Sequence, residues 1–457
     1  MNQIVLITID TARADHLGTY GWHRATSPAL DRLAADGVTF DWALSPASYT
    51  GPAHYSIMTS RYPSFHGVQF FNSRLAADNC SDTTLAQALG QAGYATGAFV
   101  STSVLGLRNL RPMARGFKAY DDRMTRNESN RATELRRLAA DTTGAALAWI
   151  REHRDQHFFC WIHLMDVHGP YEAPEPHGGQ FIDQVVGTEP WMLEAVRDGE
   201  IGGIPEYQML NVVRAPDGRV LDYERNYNYY AGRYDGGIRY VDACVGGLLD
   251  DLRGLSLYDD LLLVVTSDHG EALGENGVFF FHSLTVSMDQ IRVPLIVRLP
   301  DRIGRGAERV QVQVSTLDIA PTILDYLGLG GLRAQGTSLR PLMEARAGGE
   351  AARRVIFSET ETQVSAVDHE RQVLLGRGVP PARQFPFFHP AAPDCEMVTA
   401  YRGGVATTHD AERPLLETLA ADFARRGREA AAPSPAGETG GDDKEILHRL
   451  KALGYVT

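Results

Sequence analysis

The sequence predicts an α/β fold with a largely parallel central sheet flanked by helices. Two observations carry this. Ile4-Val5-Leu6-Ile7-Thr8-Ile9 and Leu261-Leu262-Leu263-Val264-Val265-Thr266-Ser267 are near-continuous runs of β-formers, the pattern of strands buried on both faces. Around them, helix-like and strand-like segments alternate, the order expected when helices cover a sheet.

The elements follow in order. The first strand covers 3–10. A helix spans 27–36, with Ser27 as its cap, Pro28 in its first turn and Gly37 just past its end. Thr50 and Pro52 open another helix, because Pro suits a first turn where its missing N–H leaves nothing unpaired. Residues 82–93 form a helix that leads through Gly93-Tyr94 into a strand at 95–101. A long helix at 131–153 precedes a strand at 157–164, and a helix at 234–252 precedes the strand ending at Asp268. From 174 to 222 the rhythm breaks, and Gly, Pro and isolated aromatics mark an insertion, read as a lid carrying Trp191 and Tyr207. The last quarter is less regular. Residues 355–358 read as a short strand and 378–394 as a Pro-rich loop with Phe385, Phe387 and Phe388. Residues 429–443 read as a flexible linker before a docking helix at 444–456.

Open α/β sheets bind ligands beyond the carboxyl ends of their strands. Asp10, Asp268 and His269 all fall there. Two carboxylates and an imidazole suit one divalent metal ion, and mixed O/N donors leave Zn, Mn, Mg and Ca open. A helix start offers free N–H groups and a partial positive charge to an anion. Thr50 is therefore placed where a hydroxyl attacks a phosphorus or sulfur centre, although a Thr before a helix more commonly serves as its N-cap.

At these residues the chain resembles the sulfatase-like hydrolases of the alkaline phosphatase superfamily. The resemblance rests on an ordered set: Ile9-Asp10-Thr11-Ala12-Arg13 within 6–17, residues 50–63 with His66-Gly67-Val68, residues 161–171, Thr266-Ser267-Asp268-His269-Gly270-Glu271, residues 292–297, residues 315–322 and residues 450–456. It implies an alkaline-phosphatase-like catalytic domain over 1–345, with the insertion at 174–222. A smaller C-terminal α+β subdomain and tail over 346–457 would follow.

The departures are specific. The family's C/S-x-P-x-R motif supplies a Cys or Ser that is oxidised to formylglycine. Here Thr50 holds that place and His54 replaces the Arg. A Thr cannot become that aldehyde, because its extra methyl blocks the oxidation. None of Cys80, Cys160, Cys244 and Cys395 lies in the motif. Asp10 is followed by Thr11 where the family has a second Asp, and Ser101-Thr102-Ser103 stands where many members place a Gly-Lys segment and a His.

The resemblance therefore implies a phosphoesterase with a Thr50 nucleophile activated by one metal, a phospho-threonine intermediate and release to water. Phosphodiesters are the favoured substrates. Asp10, Thr50, Asp268 and His269 would be the metal ligands. His168 and His282 would bind ester oxygens or protonate the leaving group, and His54 would hydrogen-bond near Thr50. His163 is read as a supporting residue. Asp166 belongs to an Asp-x-His spacing unlike the Asp-x-x-x-His of two-zinc phosphodiesterases, which favours one metal. A formylglycine-free sulfate-ester hydrolase, a phosphoryl-group transferase and a noncatalytic binding protein are the alternatives.

Composition bounds the partners. With 457 residues, 44% of them hydrophobic, the chain can bury a large core. A net charge of −13 disfavours nucleic acid and anionic membrane surfaces, leaving a small anionic ester as the expected partner. Arg13, Arg61 and Arg292 are candidate anion-binding cations, each more readily structural. A strand starting almost at Met1 leaves no room for a signal peptide, no apolar run reaches spanning length, and the cysteines form no framework, so a cytoplasmic location is expected. The oligomeric state is open.

Overall fold

A computed structural model of the chain describes residues 3–68, 82–129, 135–184, 194–195, 203–275, 278–283, 285–300, 307–344, 354–360, 363–368, 371–376, 397–400 and 420–426. The central sheet contains β1 (Gln3–Ile9), β2 (Val38–Phe40), β3 (Ala95–Phe99), β4 (Ala119–Asp121), β5 (Phe158–Leu164), β6 (Leu261–Ser267), β7 (Leu295–Arg298) and β8 (Glu308–Val310). Their spatial order is β8-β2-β7-β6-β1-β5-β3-β4. From β6 to β4 all neighbours run parallel. β7 is antiparallel to both β6 and β2, and β8 is parallel to β2. The predicted α/β sheet is thus present, mixed at one side.

Helices cover both faces: α1 (Pro28–Ala35), α2 (Thr50–Thr59), α3 (Leu85–Gln91), α4 (Ala139–His153), α5 (Tyr227–Gly254) and α6 (Ile319–Tyr326). The strand period of two divides the core. Val5, Ile7 and Ile9 join Leu30, Leu33, Ile150, Leu248 and Leu252 on the α1/α4/α5 side. Ile4 and Leu6 join Tyr55, Met58, Leu85, Leu89 and Ile323 on the α2/α3/α6 side. On this second side, Thr8 of β1 stands in register with His163 of β5 and Thr266 of β6, a polar row near the strand ends.

Several helix limits differ from the pattern-based reading, and each difference has a local cause. Ser27 occupies the cap position of α1 without a capping side-chain bond; the carboxylate of Asp242 in α5 accepts the N–H groups of Ala29 and Leu30 instead. The expected 131–153 helix begins only at Ala139, because Leu135–Arg136 pairs as a strand with Arg126–Asn127 and Asp166 Oδ2 accepts the Ala139 N–H. The expected 234–252 helix starts earlier, at Tyr227, where Asn226 caps it. The 82–93 helix contracts to α3 behind a Thr84/Gln87 capping box.

The backbone of α5 meets other backbone directly at Gly236 and Gly237. A Cβ there would lie 2.4 Å from the Gly178 carbonyl oxygen and 2.7 Å from that of Asp166. Within the insertion, the turn Glu206–Gln208 and the hairpin Val213–Arg214 with Val220–Asp222 are described, and the Tyr207 ring lies 6.1 Å from that of Phe281. Trp191, the 378–394 loop, the 429–443 linker and the 444–456 helix lie outside the described residues. The expected strand at 355–358 is Ile356–Glu359, the first of a four-stranded antiparallel sheet with Gln363–Val367, Arg371–Gly376 and Met397–Ala400. No described helix is long and apolar enough to cross a membrane.

Asp242→Ala should strip α1 of its N-terminal acceptor and cost about 1–2 kcal/mol, read as a lower denaturant midpoint. An unchanged midpoint would mean that water caps α1 equally well.

Candidate active site

The parallel register of β1 and β6 ends with Ile9 opposite Ser267, and the next residue of each strand is an acid. Asp10 and Asp268 therefore emerge side by side on the α2 face. All ten residues of α2 are buried. Its N-cap is Tyr49, so Thr50 is the first helical residue and its hydroxyl makes no capping bond. Thr50 Oγ1 lies 3.5 Å from Asp10 Oδ2 and 3.3 Å from His269 Nε2. The structure thus brings together all four residues expected to hold a metal.

The supporting hydrogen bonds leave one lone-pair atom on each of three side chains. Asp268 Oδ1 accepts the N–H groups of His269 at 2.8 Å and Thr11 at 3.2 Å, while among the described residues Oδ2 accepts no hydrogen bond and lies 3.4 Å from His54 Nδ1. Asp10 Oδ2 faces the Thr50 hydroxyl and His163 Nε2, the latter at 3.2 Å, while Oδ1 accepts none among the described residues. His269 Nδ1 donates to the Gly270 carbonyl at 2.9 Å, which leaves Nε2 as the lone-pair nitrogen. Nε2 is 3.4 Å from Asp268 Oδ2 and 3.8 Å from Asp10 Oδ1. Lone pairs converging in a buried cluster repel one another, and a divalent cation turns that repulsion into binding. The residues fit the metal that the sequence implied. Thr11, with φ of 55°, helps frame the cluster through its backbone N–H.

Burial pushes the Asp10 carboxyl up to about 7, against the opposing pull of His269. Burial lowers the proton affinity of His269, but the charges of Asp268 and Asp10 outweigh it and the net direction is upward. Burial holds His54 down at about 3 and His163 at about 4, so both rings are neutral at pH 7.

His168 and His282 meet the candidate metal ligands at one edge. The His282 ring is 4.5 Å from that of His269 and 5.0 Å from that of His168. His282 Nδ1 lies 3.0 Å from Glu271 Oε1, and His168 Nδ1 donates to the Gly169 carbonyl. Glu271 was missed as a functional residue although it closes the Asp268-His269-Gly270-Glu271 motif. Gln208, which the sequence did not single out either, is fully buried, and among the described residues neither atom of its side-chain amide has a hydrogen-bond partner. It packs so closely on Gly169 that a Cβ there would meet Gln208 Oε1 at 1.8 Å. No periodic signal marks it, because it lies in the irregular stretch between 174 and 222.

The remaining candidates are committed elsewhere. Arg13 binds Asp15, Glu275 and the Glu271 carbonyl. Arg61 stacks on Phe65 near Asp82, and Arg292 lies over Trp42 and bonds the Asp41 carbonyl. Asp166 caps α4. His54 lies under Thr50, with Nδ1 2.8 Å from the Thr50 carbonyl oxygen and Nε2 2.9 Å from Thr8 Oγ1.

A family model described as Sulfatase matches residues 2–329, well over half of the chain. The chain belongs to the sulfatase family. An N-acetylglucosamine-6-O-sulfatase of Bacteroides thetaiotaomicron is 23% identical over 406 residues, 75% of this chain and 70% of that protein. Human iduronate 2-sulfatase is 26% identical over 374 residues, 70% of this chain and 64% of that longer protein. Among solved structures, the phosphonate monoester hydrolase of Silicibacter pomeroyi superimposes with a TM-score of 0.66 at 21% identity, over 94% of this chain and 96% of that one. A protein solved in complex with its substrate D-glucosamine-2-N,6-O-disulfate gives a TM-score of 0.71 at 17% identity, over 94% and 98%. These structures establish the alkaline-phosphatase-like fold of this sulfatase family member.

The raised carboxyl of Asp10 sets a pH dependence. In the metal-free protein, folded Asp10 keeps a proton that the unfolded chain releases near its ordinary value of 3.8. Stability of the metal-free form should therefore fall as pH rises from about 4 to about 7. Metal must displace that proton, so affinity should climb through the same window, measured by isothermal titration with Zn or Mn at several pH values. Affinity independent of pH there would remove Asp10 from the ligand set. Asp268→Asn should lower retained metal after dialysis, measured by elemental analysis.

Proposed function

We propose that this protein is a metal-dependent hydrolase of small phosphate esters, phosphodiesters first, with Thr50 as its nucleophile. The observation that carries the reading is Thr50 Oγ1: it opens a buried helix, takes no part in capping, and lies within reach of both Asp10 and His269. Asp10, Asp268, His269 and the Thr50 oxygen would hold one divalent cation. Such an ion supplies the charge that acidifies a hydroxyl and offsets negative charge growing on the ester oxygens.

The chain's own groups do the rest. The Thr50 proton leaves along its hydrogen bond toward Asp10 Oδ2, and Oγ1 forms a bond to phosphorus as the bond to the leaving oxygen breaks. The leaving alkoxide takes a proton from His282, which Glu271 orients through Nδ1. His168 stands beside His282 to hold a non-bridging oxygen. The N–H groups opening α2 favour the anion. Water then attacks the phospho-threonine and gives a proton to His282, while the bond from phosphorus to Thr50 Oγ1 breaks and Oγ1 takes its proton back from Asp10 Oδ2.

Phosphate is preferred over sulfate because Thr50 cannot supply the formylglycine on which the family's sulfate chemistry depends. The sulfate-ester reading is kept as second, since the curated relatives above are named as sulfatases.

Matched aryl phosphodiester, phosphate monoester and sulfate substrates, assayed with metal titration, separate the readings. Phosphodiester turnover should dominate, and Thr50→Ala should lower kcat by about 1,000-fold or more with the fold intact by circular dichroism. Wild-type turnover in Thr50→Ala would sink the nucleophile assignment, and turnover of the sulfate alone would restore the sulfatase reading.

A further inference from the structure

We propose that Trp161, Thr8 and His54 form a one-directional hydrogen-bond chain that positions Thr50 by holding its backbone carbonyl. The catalytic meaning rests on Thr50 being the nucleophile; the chain itself rests on geometry alone.

Trp161 Nε1 lies 3.0 Å from Thr8 Oγ1, Thr8 Oγ1 lies 2.9 Å from His54 Nε2, and His54 Nδ1 lies 2.8 Å from the Thr50 carbonyl oxygen. Thr8, His54 and Trp161 are fully buried. The two ends have fixed polarity. An indole nitrogen only donates, and a carbonyl oxygen only accepts. The proton of a neutral His54 must therefore sit on Nδ1. Its Nε2 must accept, and the Thr8 hydroxyl, accepting from Trp161, has its own proton to give. Three bonds use three donors and three acceptors, and the Nδ1–H that holds the Thr50 carbonyl also lies 3.4 Å from Asp268 Oδ2.

The consequence is a change of role for His54. Both ring nitrogens are spent, so it neither moves a proton in the reaction nor binds a cation. His54, His163 and Asp268 have potential ligand atoms within 4.8 Å of one another, but a second ion there would have to break this chain. What His54 does is tie the first turn of α2 to β1. Thr8 precedes Asp10 by two residues on the same face of that strand. One strand thus sets Asp10 directly and, through Thr8 and His54, the residue that faces it. His54 is a positioning residue, and Thr8 and Trp161 share that task.

The test begins with long-range ¹H–¹⁵N correlation spectra of the full-length protein, with the His54 signals identified by their loss in His54→Asn. The expected result is a proton on Nδ1 and none on Nε2. In kinetics, Thr8→Val should lower kcat by about 10- to 100-fold with KM and bound metal unchanged, and Thr8→Ser should restore most of it. The pH–rate profiles of Thr8→Val and His54→Asn should keep the limbs of the wild type. A proton on Nε2, an unchanged kcat in Thr8→Val, a lost limb, or a lost metal equivalent in His54→Asn would each overturn the proposal. A protein without ester turnover but with the Nδ1–H form would sink the proposed reaction and leave the chain standing.

Discussion

The parallel pairing of β1 with β6 is the constraint on which the site depends. In a parallel pair, register is all that decides which side chains stand abreast. Here Ile9 faces Ser267, so the next residues, Asp10 and Asp268, emerge as neighbours. A slip by one residue would turn one acid to the opposite face and dismantle the candidate ligand set. The apolar runs behind them, buried on both faces, hold that register from each side. The core is thus the alignment device of the candidate site, and its charged edge is tolerable because Asp268 Oδ1, Asp10 Oδ2 and His269 Nδ1 are tied by supporting bonds.

The same logic explains why α2 is buried along its whole length. A helix that only covered the sheet would expose one face. This one is enclosed by β1 and β5 below and by the segment around Leu317 and α6 beyond. Ser60, in the left-handed region at its end, donates through Oγ to the Leu317 carbonyl. Thr50 is consequently held from both ends of its own helix.

The sheet and the clustering of four candidate ligands were legible in the sequence because they obey local rules. Asp10, Asp268 and His269 follow long apolar runs, and Thr50 precedes Pro52 at a helix start. What was not legible depends on pairing between distant segments. Ser27 sits where a cap belongs, yet Asp242 does the capping from a helix more than two hundred residues away. A period of two places His163 and Trp161 on one face of a strand, but only the neighbouring strand reveals that the face meets Asp10 and Thr8. Glu271 lay within a recognised motif without a role, because its partner His282 reaches it through a hairpin. Gln208 belongs to a stretch with no periodicity to read.

The bare seam along α5 extends the reach of the site well beyond its own residues. Gly236 and Gly237 press against the backbone at Gly178 and Asp166, on either side of the loop that carries His168. There is no side chain in that contact to repack, so a single methyl group at either glycine must be absorbed by moving the loop itself. Variation in this protein is therefore split unevenly. Gly236 and Gly237 admit almost no alphabet at all, although neither offers a side chain to the candidate site, and Gly178 inside the 174–222 stretch shares that constraint.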